Sequence, residues 1–526
     1  MSFSPEIILG PPGTGKTTYL LNLVEEALDN GVDPEHMGFV AFTKKAAKEA
    51  IERAEDRFNL TDKRLPYFRT LHSLAFRMLG MNRERVLSRS QIKEFGDILG
   101  LKLRGSIAPS EGTISNSLPG DRALFLSGLA RLRCITLQEQ WRENTEDLGW
   151  YELERVHKGL KKFKDSRGLF DYTDMLEMYI EQGYVPELEL LVVDEAQDLS
   201  KLQWKMVHKL SKKAKRVVVA GDDDQAIFQW AGADLAYFVQ LEGKVRVLNK
   251  SYRIPKNIYK TADAIINRVA IRRQKVWNSK ESIGAVTYHN TTDSIDMTNN
   301  TWLVLGRNSY LVDKVEEQCR REGLIYERNN RRSVKENSLA AIQNWEKLRA
   351  GETLDALAVK KCLKFLKRTI NALPEAGSFT LQDLQTNWGV SRTDIWHDAF
   401  ERMSLLERSY LVAALRRGEK LTKTPRIRLS TIHSAKGGEA DNVILFSDMA
   451  NRTYKDMQKK PDNERRVFYV GVTRTKENLH IVMPRTKFMF AERSINSIDI
   501  SKTIKFFLFK KIPIKQIVKT IIERYK

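Results

Sequence analysis

The chain has 526 residues, 42% of them apolar and 29% charged, which is too long for one ordinary hydrophobic core and ordinary in composition for several soluble ones. Its 88 Lys and Arg against 67 Asp and Glu leave a formal charge of +21, favouring a polyanionic partner such as nucleic acid, because cationic side chains displace condensed counterions from phosphates. Three scattered cysteines (Cys134, Cys319, Cys362), no close metal-ligand spacing among eight histidines, no apolar run of membrane-spanning length and no signal-peptide pattern argue against disulfide, zinc-finger and membrane classes; the expectation is a cytoplasmic protein.

Taken in chain order, "EIILG" reads as a short buried strand that runs into "PPGTGKTT", followed by helical spacing in "YLLNLVEEAL". "MGFVAF" is a second strand and "KKAAKEAIERAEDRF" a helix. From about Arg89 to Glu181 the pattern is mostly helical, interrupted by the polar "GSIAPSEGTISNSLPG". "LELLVVDEAQD" and "KRVVVAGDDDQ" are β-branched apolar runs that end in acids. A further strand-rich region opens at "NTWLVLGRN" and resumes at "RIRLSTIHSAKG", "NVILFSD" and "NLHIVMP", with helical pattern over Arg331 to Lys423 between its parts. Strands alternating with helices predict parallel α/β cores. The fold class expected is α/β, two parallel-sheet cores, each with a mainly helical insertion.

"GPPGTGKTT" matches GxxxxGK[ST] between strand and helix, so Gly10, Pro11, Pro12, Gly13, Thr14, Gly15, Lys16, Thr17 and Thr18 predict a phosphate cradle. Backbone N–H groups would wrap the phosphates, Lys16 would reach the β/γ-phosphates, and Thr17 would ligate Mg²⁺. In "LLVVDEAQD", Asp194 at the end of a buried strand suits Mg²⁺, and Glu195 beside it suits orientation and deprotonation of a water. Hydrolysis of a nucleoside triphosphate is the chemistry these two motifs predict together.

DEAQD, GDDDQAIFQWAGAD, SYRIP, STIHSAKGGEADNVILF and RRVFYVGVTRTKENL follow in that order, and together they resemble the UvrD/Rep/PcrA-type superfamily 1 DNA helicases. The resemblance spans roughly Gly10 to Leu479; the GGEADN variant and compact insertions look like smaller members carried by phages, placing the protein in a bacterial or phage-infected cytoplasm. It implies RecA-like motor cores, ATP and Mg²⁺ as cofactors, and single-stranded DNA and its junctions with duplex as partners, beside replication or repair proteins. It also implies ATP-dependent movement 3′ to 5′, driven by closure of a cleft between the cores. By motif, Gln225 looks like the γ-phosphate sensor, Tyr252 and Arg253 like the adenine-stacking and phosphate-contacting pair, and Glu439 like the ribose contact. Arg474 looks like an arginine finger from the second core. Phe42, His72 and Trp230 match stacking positions on a strand track, and Thr43, Thr70 and His433 phosphate contacts. The implied layout is a first core in residues 1–88 and 186–285 around an insertion in 89–185. A second core follows in 286–330 and 424–500 around an insertion in 331–423, and a basic amphipathic tail in 501–526.

The chain also departs from the family. Nine residues precede Gly10, too few for the upstream adenine-reading glutamine unless the start is wrongly assigned, and Thr18 replaces a common Arg; looser nucleotide discrimination is expected, with Tyr252 as main base contact. Lys44, Ala231 and Gly438 stand where Asn, Arg and Leu are common. The tail suits either a DNA-, partner- or membrane-binding segment or a docked helix. Two rival readings remain: a non-unwinding motor or subunit of a larger complex, and an ATP-driven switch. Asp222, Asp223 and Asp224 are read as shaping the turn after a strand, with Gln225 to Trp230 as a short link between nucleotide and DNA.

Overall fold

The computed structural model describes residues 3–41, 44–58, 62–104, 118–143, 148–367, 373 and 375–490. Phe42, Thr43 and the basic tail therefore lie outside the described residues, as does the side chain of Lys44. The chain divides into two compact units. The first takes the described residues of Met1–Ala285 and Ala450–Glu477 with Phe490, and the second takes Val286–Met449 and Asn478–Met489.

In the first unit, six strands form one parallel sheet: β1 (Glu6–Leu9), β2 (Met37–Ala41), β3 (Tyr67–Thr70), β4 (Leu188–Asp194), β5 (Ala214–Gly221) and β6 (Lys244–Val247). Their order is β3-β2-β4-β5-β1-β6. The near-continuous apolar runs in β1, β2 and β4 are what a sheet covered on both faces requires, and Ile7, Ile8, Phe39, Val192 and Val219 are all buried. Register decides where function can sit. Leu9 pairs with Gly221, and Ala41 pairs with both Asp194 and Thr70, so the loops after β1, β4 and β5 leave one edge together. Ligands of such sheets bind at the carboxyl ends of the strands. Between β3 and β4 lies a helical insertion that includes Arg89–Leu99, Pro119–Arg133, Trp150–Arg167 and Tyr172–Gln182. Its own apolar cluster contains Phe95, Leu124, Leu153 and Val156.

The second unit is built on a seven-stranded sheet: β7 (Ala285–His289), β8 (Trp302–Gly306), β9 (Tyr326–Arg328), β10 (Arg331–Arg332), β13 (Ile427–Thr431), β14 (Ala440–Phe446) and β15 (Thr475–Val482). The order is β10-β9-β13-β8-β14-β15-β7, with β9, β13, β8 and β14 parallel and β10 antiparallel to β9. A two-stranded ribbon, β11 (Leu354–Asp355) with β12 (Ser378–Phe379), sits among the helices between β10 and β13. Trp345, Phe400 and Tyr410 from these helices share a core with Trp302, Val304 and Leu429 of the sheet. Two parallel-sheet α/β cores with helical insertions are thus present, as the strand and helix pattern predicts.

The helices Asn451–Lys459 and Pro461–Val472, together with Arg474, belong to the first compact unit. This departs from the expectation that Arg474 comes from the second core. The physical reason is the buried Arg466, whose guanidinium donates to the Asp223 carbonyl (2.9 Å) and to the Ile271 carbonyl. No helix among the described residues is long and apolar enough to cross a membrane.

Candidate functional site

Gly10 follows β1, and its N–H donates to the Gly221 carbonyl (3.0 Å), which fixes the loop to the neighbouring strand. Gly13 and Gly15 lie at φ 72° and 77°, backbone conformations that favour glycine, and helix Lys16–Asp29 starts directly behind them. Thr14 closes the turn on the Pro11 carbonyl through both its N–H (3.2 Å) and its hydroxyl (2.8 Å). The SYR segment packs underneath. Ser251 Oγ donates to the Pro12 carbonyl (2.8 Å) and Tyr252 N–H to the Gly13 carbonyl (2.8 Å). A Cβ at Gly13 would lie 2.3 Å from the Arg253 Cβ, so this loop and Arg253 can approach only because the residue is glycine. The Tyr252 ring is 69% exposed, leaving a face for a planar partner. Thr18 is exposed, and Thr17 is half-buried at the helix start.

Asp194 ends β4, and Glu195 follows in the left-handed region at φ 52°. That conformation is uncommon outside glycine and occurs most often where function demands it. Here it turns the chain so that both carboxylates reach one ammonium: Lys16 Nζ lies 3.0 Å from Asp194 Oδ1 and also contacts Glu195 Oε1. Burial works against the Lys16 charge, but Asp194 and Glu195 outweigh it and raise its pKa. For Asp194 burial dominates and lifts the carboxyl above the usual range, only partly offset by Lys16. The residues fit a nucleotide with Mg²⁺. A glycine-permitted loop of amides meets a lysine, and Thr17 and Asp194 supply the hydroxyl and carboxylate oxygens that a hard cation prefers.

Behind this pair, polar groups continue without a break. Gln197 is fully buried; its Nε2 donates to Glu195 Oε2 (2.6 Å) and its Oε1 accepts from Asp222 N–H (3.0 Å). Asp222 Oδ2 accepts from Gln225 Nε2 (2.7 Å), and Gln225 Oε1 accepts from Arg474 Nη2 (2.7 Å). Lys16, Glu195, Gln225 and Arg474, four of the sequence-predicted residues, are therefore joined through Gln197 and Asp222. Sequence reasoning gave neither linking residue a place in such a chain.

The acidic triplet differs from its sequence reading in another respect. Asp222 does shape the turn, with Oδ1 accepting from Asp224 N–H (3.2 Å). All three carboxylates, however, are buried and occupied by cations: Lys275 Nζ lies 3.1 Å from Asp222 Oδ1 and 3.0 Å from Asp224 Oδ2, and also contacts Asp223. Arg272 grips Asp224 through Nε (2.9 Å) and Nη2 (2.6 Å), and the Arg273 N–H donates to Asp223 Oδ2 (2.7 Å). The available signal was "IRRQKVW", cations interleaved with apolar residues, combined with three acids closing a core strand.

The residues expected to touch DNA are more dispersed. Trp230 is half-buried and stacks on Phe125 of helix Pro119–Arg133 (centroids 6.3 Å, 21° between planes), so one role of the ring is to tie the turn to the insertion. Between Gln225 and Trp230, Ala226 and Ile227 are buried and the link is short and packed. His72 meets the exposed Tyr172 edge-on at 6.0 Å. Thr70 Oγ1 accepts from Ser73 N–H (3.2 Å) as a helix cap, which gives its hydroxyl a structural task. In the second unit, His433 is buried just after β13 and Glu439 is half-buried, its carbonyl accepting from Arg428 Nη2 (2.9 Å). A side chain at Gly438 would lie 3.1 Å from the Ala435 carbonyl, so the glycine keeps this turn tight.

Known proteins bear on the same residues. Residues 2–246 match the UvrD/REP helicase N-terminal domain, and residues 392–486 match the UvrD-like helicase C-terminal domain. The "ATP-dependent DNA helicase PcrA" of Staphylococcus epidermidis is 25% identical over 302 residues, 54% of this chain and 41% of that protein. The protein of the same description from Staphylococcus aureus is 24% identical over 303 residues, with the same shares. The match thus spans less than half the length of these relatives. Among solved structures, "The structure of PRRSV helicase" aligns with 93% of this chain and 54% of its own at 12% identity and a TM-score of 0.33. With both domain models matched in order, and with the phosphate loop and its acids assembled at one sheet edge, the chain belongs to the UvrD/Rep/PcrA-type superfamily 1 helicase family.

Proposed function

We propose that the chain is an ATP-dependent DNA helicase that moves 3′ to 5′ along single-stranded DNA, cleft closure on ATP binding driving the strand forward. The observation that carries this reading is the continuous polar path from Lys16 through Glu195, Gln197, Asp222 and Gln225 to Arg474. Such a path gives the phosphate loop a hydrogen-bonded route to an amide and a guanidinium, which supports a motor, whose nucleotide state has to be relayed, over a static binding module.

Bound ATP would supply the transferable phosphoryl group, and Mg²⁺ the positive charge that neutralises the phosphates. The chain's own groups do the rest. With the Gly10 and Thr14 N–H groups spent on the Gly221 and Pro11 carbonyls, the amides of Gly13, Gly15, Lys16 and Thr17 would hold phosphate oxygens, and Thr17 and Asp194 would hold the cation. Lys16 exchanges its carboxylate partners for phosphate. Glu195, relieved of Lys16, accepts a proton from the attacking water. Gln225 orients that water with its amide, while Arg253 and Arg474 balance charge that grows during transfer. Tyr252 offers its exposed ring to the base, and Phe42, His72 and Trp230 are candidates to stack on the strand, with Thr43, Thr70 and His433 contacting its phosphates.

The test is unwinding of 3′-tailed, 5′-tailed and blunt duplexes with ATP, run beside Lys16→Ala. Unwinding of the 3′-tailed substrate alone, lost in Lys16→Ala, is the expected outcome. Equal action on 5′ tails would overturn the polarity, and no DNA-dependent ATP turnover at all would overturn the reading itself.

A further inference from the structure

We propose that Lys275 is a positioning residue for the hydrolytic site, acting through Asp222 on Gln225 and Arg474. The inference rests on the function proposed above and deepens it. The two oxygens of Asp222 face different partners. Oδ1 faces the Lys275 ammonium at 3.1 Å and the Asp224 N–H, whereas Oδ2 accepts from Gln225 Nε2 at 2.7 Å. Lys275 therefore fixes the rotation of a carboxylate whose other oxygen holds the catalytic amide.

The chemistry then fixes the amide itself. An ionised carboxylate only accepts hydrogen bonds and a guanidinium only donates them. Gln225 must turn its NH₂ to Asp222 and its carbonyl oxygen to Arg474, the arrangement observed. With Lys275 removed, the Asp222 carboxylate keeps, among the described residues, the Asp224 N–H and Gln225 as its hydrogen-bond partners, so it turns and carries the amide with it. The Lys275 side chain is fully buried, and its ammonium is surrounded by Asp222, Asp223 and Asp224. It touches no surface at which substrate could bind, which is why its role is positioning.

The test is steady-state ATP hydrolysis at saturating single-stranded DNA, with kcat and KM measured separately. Lys275→Met leaves the three buried carboxylates short of a cation, so a second variant, Lys275→Met with Asp223→Asn, removes one charge of each sign. Asp223→Asn alone is the control, because the Gln225 NH₂ donates to Asp222, whereas the Asp223 carboxylate takes Lys275 and the Arg273 N–H. In the paired variant kcat should fall roughly ten- to hundredfold, the loss that misplacement of a catalytic group produces, while the KM for ATP stays within about twofold. Placed in a Gln225→Ala background, the same pair should cost nothing further, since residues acting as one unit are not additive. Wild-type kcat in the paired variant, or a full multiplicative loss in the Gln225→Ala background, overturns the inference. Lys16→Ala separates the two levels. An active wild type silenced by Lys16→Ala, with an indifferent Lys275 pair, sinks only the positioning role, whereas a wild type inert toward ATP sinks the functional reading with it.

Discussion

At the carboxyl edge of the first sheet, buried charges are held in ion pairs: Lys16 with Asp194 and Glu195, and Lys275 and Arg272 with the Asp222–Asp224 triplet. The corresponding edge of the second sheet is also polar and buried, with Arg307, Asn308, Thr431, His433, Ser447 and Asp448, but the Asp448 carboxylate is satisfied by neutral donors. It accepts from the N–H groups of Arg485 (2.8 Å) and Thr486 (3.0 Å) and from the Thr486 hydroxyl (2.9 Å). The same parallel architecture thus hosts two kinds of buried carboxylate. Paired buried charges can be re-partnered when a charged ligand arrives, as Lys16 would be by phosphate. A carboxylate locked to backbone amides has no such alternative and serves the loop alone.

The contrast breaks most severely at Lys16. Lys16→Ala should lower DNA-stimulated ATP hydrolysis by on the order of a hundredfold or more, the scale of losing a donor aimed at developing charge. Measured turnover near wild type would mean the charged edge of the first sheet is structural, like that of the second. Next comes Arg272→Met, which leaves Asp224 with Lys275 as its remaining cation. Removing one member of a buried pair costs about 3–5 kcal/mol, to be read in urea unfolding of the first unit. Asp448→Ala in the second unit leaves amide donors without their acceptor and should cost less, about 1–3 kcal/mol. Similar losses for the two would erase the distinction drawn here.

The phosphate loop, the acids at the end of β4 and the alternation of strands and helices were legible because each is local: glycines where the backbone turns, acids behind an apolar run. β3 and β6 escaped notice, since four residues such as "YFRT" or "KVRV" carry too little pattern to stand out. Lys275 and Gln197 escaped for a different reason. Their importance is created by partners 25 positions away for Gln197 and 51 to 53 for Lys275, and no spacing rule connects them before the sheet register does. Arg474, expected from the second core and lying within the C-terminal-domain match, groups by contact with the first unit, because Arg466, eight positions earlier, anchors its helix to the loop after β5. Trp230 was read as a DNA contact; its stacking on Phe125 could be seen only once the insertion was packed.

The smallest effect, and the one that sets the units against each other most directly, is pH. Asp224 is pushed up to about 6, first by burial and then by the neighbouring Asp222 and Asp223, against Lys275 and Arg272. A carboxyl whose folded pKa is raised takes up protons more readily folded than unfolded. Its contribution is fully present below the unfolded value near 3.8 and is lost as pH rises through about 6. His480 in the second unit moves the other way. Burial, then the adjacent His289, lowers it to about 4, and Thr287 Oγ1 sits 3.0 Å from its Nδ1. Its contribution is present above the ordinary value of 6.5 and is lost as pH falls through about 4. Between about pH 4 and 6, Asp224 therefore favours the first unit less as pH rises, while His480 favours the second more. Thermal unfolding across that range should show the slopes diverging. Asp224→Asn should remove the falling component from the first transition, and His480→Gln the rising one from the second. If Asp224→Asn leaves the slope unchanged, the Lys275 and Arg272 cations hold that carboxylate ionised throughout, and the charged edge is more rigid than its burial implies.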